Sequence, residues 1–170
     1  MRTLFLLRHA KSDWGTQAAR DFDRPLNPRG REAAAAVGKA MRRLGIRPAL
    51  VVASPAVRAA ETLARVAKAH GGLPEARIEP AIYEASPVAL ARMVRGADDA
   101  AESLMLVGHN PGFQLLALQF AAGDAEGLRE GIEAKFPTGA LAEIRFAVTR
   151  WSDVADGSGQ IVRVLRPRDL

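Results

Sequence analysis

Cysteine is absent from the 170 residues, which removes disulfides, thiolate metal sites and cysteine-based phosphatase or protease chemistry. Nothing in the chain calls for an oxidising compartment. Aromatic residues are also scarce, at 5%, and they do not interleave with basic residues as they do on nucleic-acid-binding surfaces. Long apolar runs are missing too. The first, Leu4 to Leu7, falls far short of a signal-peptide core or the ~20 residues of a membrane span. These absences predict a cytoplasmic protein with neither membrane nor nucleic-acid partners.

What is present in excess is positive charge, formally +5 with a pI of about 10.4. The lysines and arginines are spread along the chain without a basic block, a pattern that gives a solvated basic surface and does not identify a partner. The densest cluster, Arg163, Arg166 and Arg168, reads as decoration of the C-terminal tail. The chain length suits one domain over residues 1–170, burying roughly 70% of its unfolded surface.

Apolar runs alternate with helical patterns. TLFLL (3–7), ALVVA (49–53), SLMLV (103–107), ALAEIRFAV (140–148) and QIVRVL (160–165) read as strands. The first three lack polar alternation, as strands covered on both faces do. Between them, Ala33, Val37, Ala40, Met41 and Leu44 share one helical face, as do Val57, Ala60, Leu63, Ala64 and Ala67. This order predicts a layered α/β fold with a largely parallel sheet. Asn27-Pro28, Ser54-Pro55, Ser86-Pro87 and Asn110-Pro111 each precede a helical pattern, placing a capping side chain before a proline in the first turn. Two of these starts follow strands almost at once, at the sheet edge where open α/β folds bind ligands.

That edge collects reactive groups. Arg8 and His9 follow the first strand, Arg58 lies one turn into the helix after the second, and His109 follows LMLVG. Any one of them alone reads as an ordinary edge residue. Together with helix amino termini, they describe a pocket for a phosphoryl group. A metal site built from the histidines and the DFD of residues 21–23 is the weaker reading, because two arginines in the same pocket would repel a divalent cation. Asp21 and Asp23 are therefore expected to fix the loop before Arg24-Pro25. His70, followed by two glycines, is expected to end a helix.

LRHAKSDW, RPLNPRG, SPAVRAAETL, VGHNPG and FPTGAL resemble, in order and spacing, the histidine phosphatase superfamily, also called phosphoglycerate mutase-like. The likeness is greatest to its short SixA-type phosphohistidine phosphatase branch. Ala10 departs from the commoner glycine, and Asn27 from a frequent threonine or serine. The resemblance implies a three-layer α/β/α sandwich with a mostly parallel central sheet. It also implies a His9 nucleophile that becomes transiently phosphorylated, and phosphate binding by Arg8, Arg58 and His109, without metal or cofactor. Glu84, in IYEASP, is a candidate proton donor by likeness to larger members, with a solvated loop carboxylate as the alternative. No insertion is long enough for a lid, which favours a phosphorylated protein as partner, such as a histidine phosphotransfer domain acting in signal transduction. The competing expectations are a phosphatase of small esters or phosphoramidates and a phosphoprotein-binding module without turnover.

Overall fold

The computed structural model describes every residue except 16, 19 and 125. Its strands are β1 (Arg2–Arg8), β2 (Leu50–Ala53), β3 (Arg77–Ile78), β4 (Ser103–Gly108), β5 (Ala121–Asp124), β6 (Leu141–Phe146) and β7 (Gly159–Leu165). The helices are α1 (Pro28–Arg43), α2 (Val57–His70), α3 (Pro87–Arg95), α4 (Gly112–Phe120) and α5 (Leu128–Ala134). One sheet holds the strands in the order β3-β2-β4-β1-β6-β7-β5. Only β6 pairs antiparallel to its neighbours, so the sheet is mostly parallel.

Strand β1 makes the layering visible. Leu4 and Leu6 pack into a core with α3 and α4 side chains such as Leu90, Val94, Phe113 and Leu116. Phe5 and Leu7 point the other way, onto Val37, Met41 and Val66 of α1 and α2. A strand buried on both faces needs no polar alternation, which explains the apolar run. Each such leucine contributes about 1.5–3 kcal/mol of burial. No helix among the described residues is long and apolar enough to cross a membrane.

The five expected strands form, β1, β4 and β7 slightly longer and β2 and β6 shorter than expected, but β3, β5 and α5 have no counterpart in the sequence reading. The first two are short edge strands, and β3 is exposed at both residues, so neither carries an apolar pattern. Arg163 belongs to β7 and pairs at 3.1 Å with the buried Glu143 of β6, whose other oxygen takes Arg145 at 2.7 Å. It is thus a strand residue with a partner and not tail decoration.

Helix α2 requires a larger correction. Its buried stripe is Arg58, Ala59, Thr62, Val66 and His70, whereas Ala60 and Ala64 of the expected face are exposed. Alanine surrounds this helix, so apolar periodicity does not select a face. Hydrogen bonds on the buried polar residues do: Thr62 Oγ1 accepts from the Ala10 amide at 2.9 Å, and His70 Nε2 meets the Ile46 carbonyl at 2.9 Å. His70 ends α2 as expected, before Gly71 at φ 77°. On α1 the buried stripe includes Ala34, Val37, Ala40 and Met41, while Leu44 is exposed beyond the helix end.

Candidate active site

The register places three strand exits side by side. Arg8 lies opposite Gly108 and Ala53 opposite Val107, so the residues that follow, His9, Ser54 and His109, emerge at one carboxyl edge. The His9 amide donates to Gly108 O at 2.9 Å and the Ser54 amide to Val107 O at 2.9 Å, carrying the ladder into the site. Gly139, at φ 77°, donates its amide to His9 O at 2.9 Å, and the turn needs the left-handed conformation glycine allows. A Cβ on Gly112 would sit 2.4 Å from Ala85 O, so glycine there lets α4 approach the loop carrying Glu84.

His9 is held in one tautomer. Its Nδ1 lies 2.7 Å from the Ala10 carbonyl, which can only accept, so Nδ1 carries the proton and Nε2 keeps its lone pair. Arg58 Nε donates to that Nε2 at 3.3 Å. Burial, helped by His109, Arg58 and Arg8, pulls the His9 pKa down from 6.5 to about 3, and the ring is neutral at pH 7.

His109 stands 5.3 Å from His9, centroid to centroid. Its Nε2 lies 2.7 Å from Ser54 Oγ, which also accepts from the Ala56 amide at 3.2 Å. Burial first, then Arg58, lowers its pKa to about 4, against an opposing pull from Asp21. Arg8 donates through Nη1 to the Phe136 carbonyl at 2.9 Å. Burial and Arg58 lower its pKa, but a guanidinium remains charged near neutrality.

The resulting cavity, about 480 Å³, is lined by Arg8, His9, Arg24, Arg58, His109 and Asn110, among others. Arg8 Nε, Arg24 Nε and His109 Nδ1 are buried without a hydrogen-bond partner. The two buried arginine N–H donors are costly unless an acceptor meets them and on a cationic cavity suit an anion, which His109 Nδ1 can also meet once it carries a proton. A second cavity of about 440 Å³ shares Arg58, His109 and Asn110 and continues past Tyr83 to Glu84 and Pro87. Among the described residues, no group of three or more His, Asp or Glu side chains could hold a metal ion.

The structure thus brings Arg8, His9, Arg58 and His109 together, and sets Glu84 on the wall of the adjoining cavity, exposed and at φ 57°. Sequence reasoning missed several participants. Arg24, read as part of a loop, donates to Ser12 Oγ, bonds Asp21 at 2.9 Å and stacks 3.6 Å from the Trp14 ring centroid. Asp21 holds the loop at Arg24 as expected, and beyond that expectation pairs with Arg58 at 3.0 Å and accepts from Tyr83 Oη at 2.8 Å. Ser54 is no helix cap: α2 starts at Val57 after Ala56, and the serine supports His109 instead. Asn27 and Ser86 do cap α1 and α3, accepting from Gly30 and Ala89 amides. Asn110 accepts from the Gln114 amide and donates to Phe136 O, the carbonyl that Arg8 also uses. Ser54 and Asn110 carry a sequence signal, a polar residue just past a strand end, whereas Arg24 and Tyr83 carry none.

A mostly parallel α/β sheet with two imidazoles and several arginines at its carboxyl edge suits phosphoryl chemistry. The chain belongs to the histidine phosphatase superfamily (branch 1), whose model matches residues 4–109. It is 38% identical over 168 residues to an uncharacterized Mycobacterium tuberculosis protein, Rv1276c, covering 95% of this chain and 100% of that one. An Agrobacterium tumefaciens structure assigned as the phosphohistidine phosphatase SixA matches with TM-score 0.80 and 27% identity, over 98% of each chain. A structure of the protein histidine phosphatase SixA with tungstate shares the fold, with TM-score 0.79 and 20% identity over 98% of each chain. The SixA-type architecture is therefore this chain's own.

Proposed function

We propose that the protein hydrolyses phosphohistidine displayed by another protein, through a phosphoryl group held transiently on His9. The observation that carries this reading is the fixed tautomer of His9, whose Nε2 lone pair faces Arg58 with Nδ1 tied to Ala10 O. A neutral imidazole on a rigid strand end is a nucleophile at pH 7 without a separate base.

In the first step, Nε2 attacks phosphorus, forming a P–N bond as the bond to the leaving imidazole breaks, and that imidazole, already protonated on its other ring nitrogen, leaves as the neutral ring. Water then attacks the phosphorylated His9 in line, releasing inorganic phosphate and restoring the neutral ring. Arg8 and Arg58 hold the nonbridging oxygens, and His109 joins them by taking a proton, donating Nε2–H to Ser54 and Nδ1–H to an oxygen. Glu84 lies on the wall of the second cavity, which adjoins the His9 cavity through Arg58, His109 and Asn110, and is the candidate acid for poorer leaving groups. Imidazole leaves readily with little acid assistance, which suits a phosphohistidine substrate.

The test is a parallel assay on a phosphohistidine protein, free phosphohistidine, an alkyl phosphate and an aryl phosphate. Preference for the phosphoprotein is the expected result. Faster turnover of alkyl phosphates would replace this reading with a small-ester phosphatase, and binding of the phosphoprotein without turnover would replace it with a binding module.

A further inference from the structure

Asp21 has no step in this chemistry, yet three functional side chains converge on it. Its carboxylate takes Arg24 at 2.9 Å, Arg58 at 3.0 Å and the Tyr83 hydroxyl at 2.8 Å, and its carbonyl takes Arg58 Nη1 at 2.9 Å. The carboxyl is itself 47% exposed, whereas the Arg58 side chain is 7% exposed. An isolated surface ion pair contributes little, but this one clamps a buried guanidinium through both side chain and backbone.

Donor counting shows what the clamp accomplishes. A guanidinium has five N–H groups in a rigid fork. In Arg58, Nε–H goes to His9, one Nη1–H to the Asp21 carbonyl and one Nη2–H to the Asp21 carboxylate. One N–H remains on each terminal nitrogen. We propose that Asp21 is a positioning residue: by holding Nη1 and Nη2 it fixes the plane of the Arg58 fork relative to His9, so that the remaining donors follow the phosphoryl oxygens as they move in line toward Nε2. Through Arg24 and Tyr83 it also ties together the walls of the two cavities, keeping the fork in register with His9.

This inference rests on His9 and Arg58 being the reacting and phosphate-holding groups, and does not depend on which phosphorylated compound is the substrate. An aryl phosphate is therefore the probe, with inorganic phosphate as inhibitor. Asparagine at position 21 must turn an NH₂ toward one of its three donors, and alanine removes the acceptor altogether. Asp21→Asn and Asp21→Ala should lower kcat by about 10- to 100-fold, the scale of a small misplacement of a catalytic group. Inhibition by phosphate should stay within about threefold of wild type or strengthen, because a negative charge has left the neighbourhood. Thermal denaturation establishes that the variants fold. Unchanged kcat in either folded variant overturns the inference, as does a parallel loss of kcat and phosphate affinity, or loss of the fold in both variants, since each makes Asp21 a plain structural anchor. A wild type with no turnover overturns the functional reading and this inference with it, whereas an active wild type with unaffected variants overturns only this inference.

Discussion

Anion binding should load a proton onto His109, and the size of the effect follows from the site. With the pocket empty, burial and Arg58 hold the His109 pKa at about 4, so at about pH 6 the ring is neutral. Its Nδ1 is buried without a partner. A negative oxygen at about 4 Å, with an effective dielectric of about 20, favours the imidazolium by about 4 kcal/mol. At about 1.4 kcal/mol per pKa unit this moves the pKa up by about 3, to about 7 in the complex. Sulfate, which has no proton of its own to exchange near pH 6, should therefore bind with uptake of close to one proton. Between about pH 4 and 7 its affinity should fall about tenfold per unit as pH rises, then level off. Calorimetry at about pH 6 in two buffers of different ionisation enthalpy measures the uptake directly. His109→Gln should abolish it and His9→Gln should preserve it. Sulfate binding without proton exchange, or exchange that survives in His109→Gln, would refute the assignment of His109 as a cation recruited by the substrate.

Removing the nucleophile should separate activity from stability: His9→Ala should lose turnover while keeping its melting transition, and brief labelling of wild type with alkaline quench should place acid-labile phosphate on His9. Arg58→Ala should cost on the order of 2–4 kcal/mol of transition-state stabilisation, read as kcat/KM, whereas EDTA should leave activity intact. Both depressed histidines protonate in the unfolded chain below about pH 6.5 but stay neutral in the folded chain down to about 4 and 3, so stability present above pH 6.5 declines on acidification. Each contributes up to about 1.4 kcal/mol per pH unit in its window, and urea titrations of the His9→Gln, His109→Gln double variant should show the flatter profile. Glu84→Gln should slow an alkyl phosphate by ~10² to 10⁴-fold and barely affect an activated aryl phosphate or phosphohistidine; equal losses on all three would make Glu84 a positioning group.

The parts of this molecule that could be read from sequence are those whose physics is local. An apolar run with no alternation signals a strand covered on both faces, and β1, β2 and β4 follow that rule. Polar groups directly after such strands must lie at the sheet edge, because neighbouring parallel strands end together. His9 and His109 thus meet across one edge although a hundred positions separate them in the chain. Asn27 and Ser86 cap through atoms three residues away, and the caps form.

The missed contacts depend on partners distant in sequence. Burial of Arg58, Thr62 and His70 is decided by Asp21, the Ala10 amide and the Ile46 carbonyl, none of which leaves a mark on the periodicity of α2. An alanine-rich helix makes this worse, since nearly every face is apolar enough to be buried and the polar stripe wins only because each of its members finds a partner. The same physics separates the two serines placed before prolines. Ser86 meets a free amide of its own first turn and caps it, whereas Ser54 leaves β2 beside His109 and has a stronger claim on its hydroxyl. A Ser-Pro pair at the carboxyl end of a parallel strand should therefore be read first as a candidate ligand of the neighbouring strand's exit residue, and as a helix cap only when no such strand lies alongside.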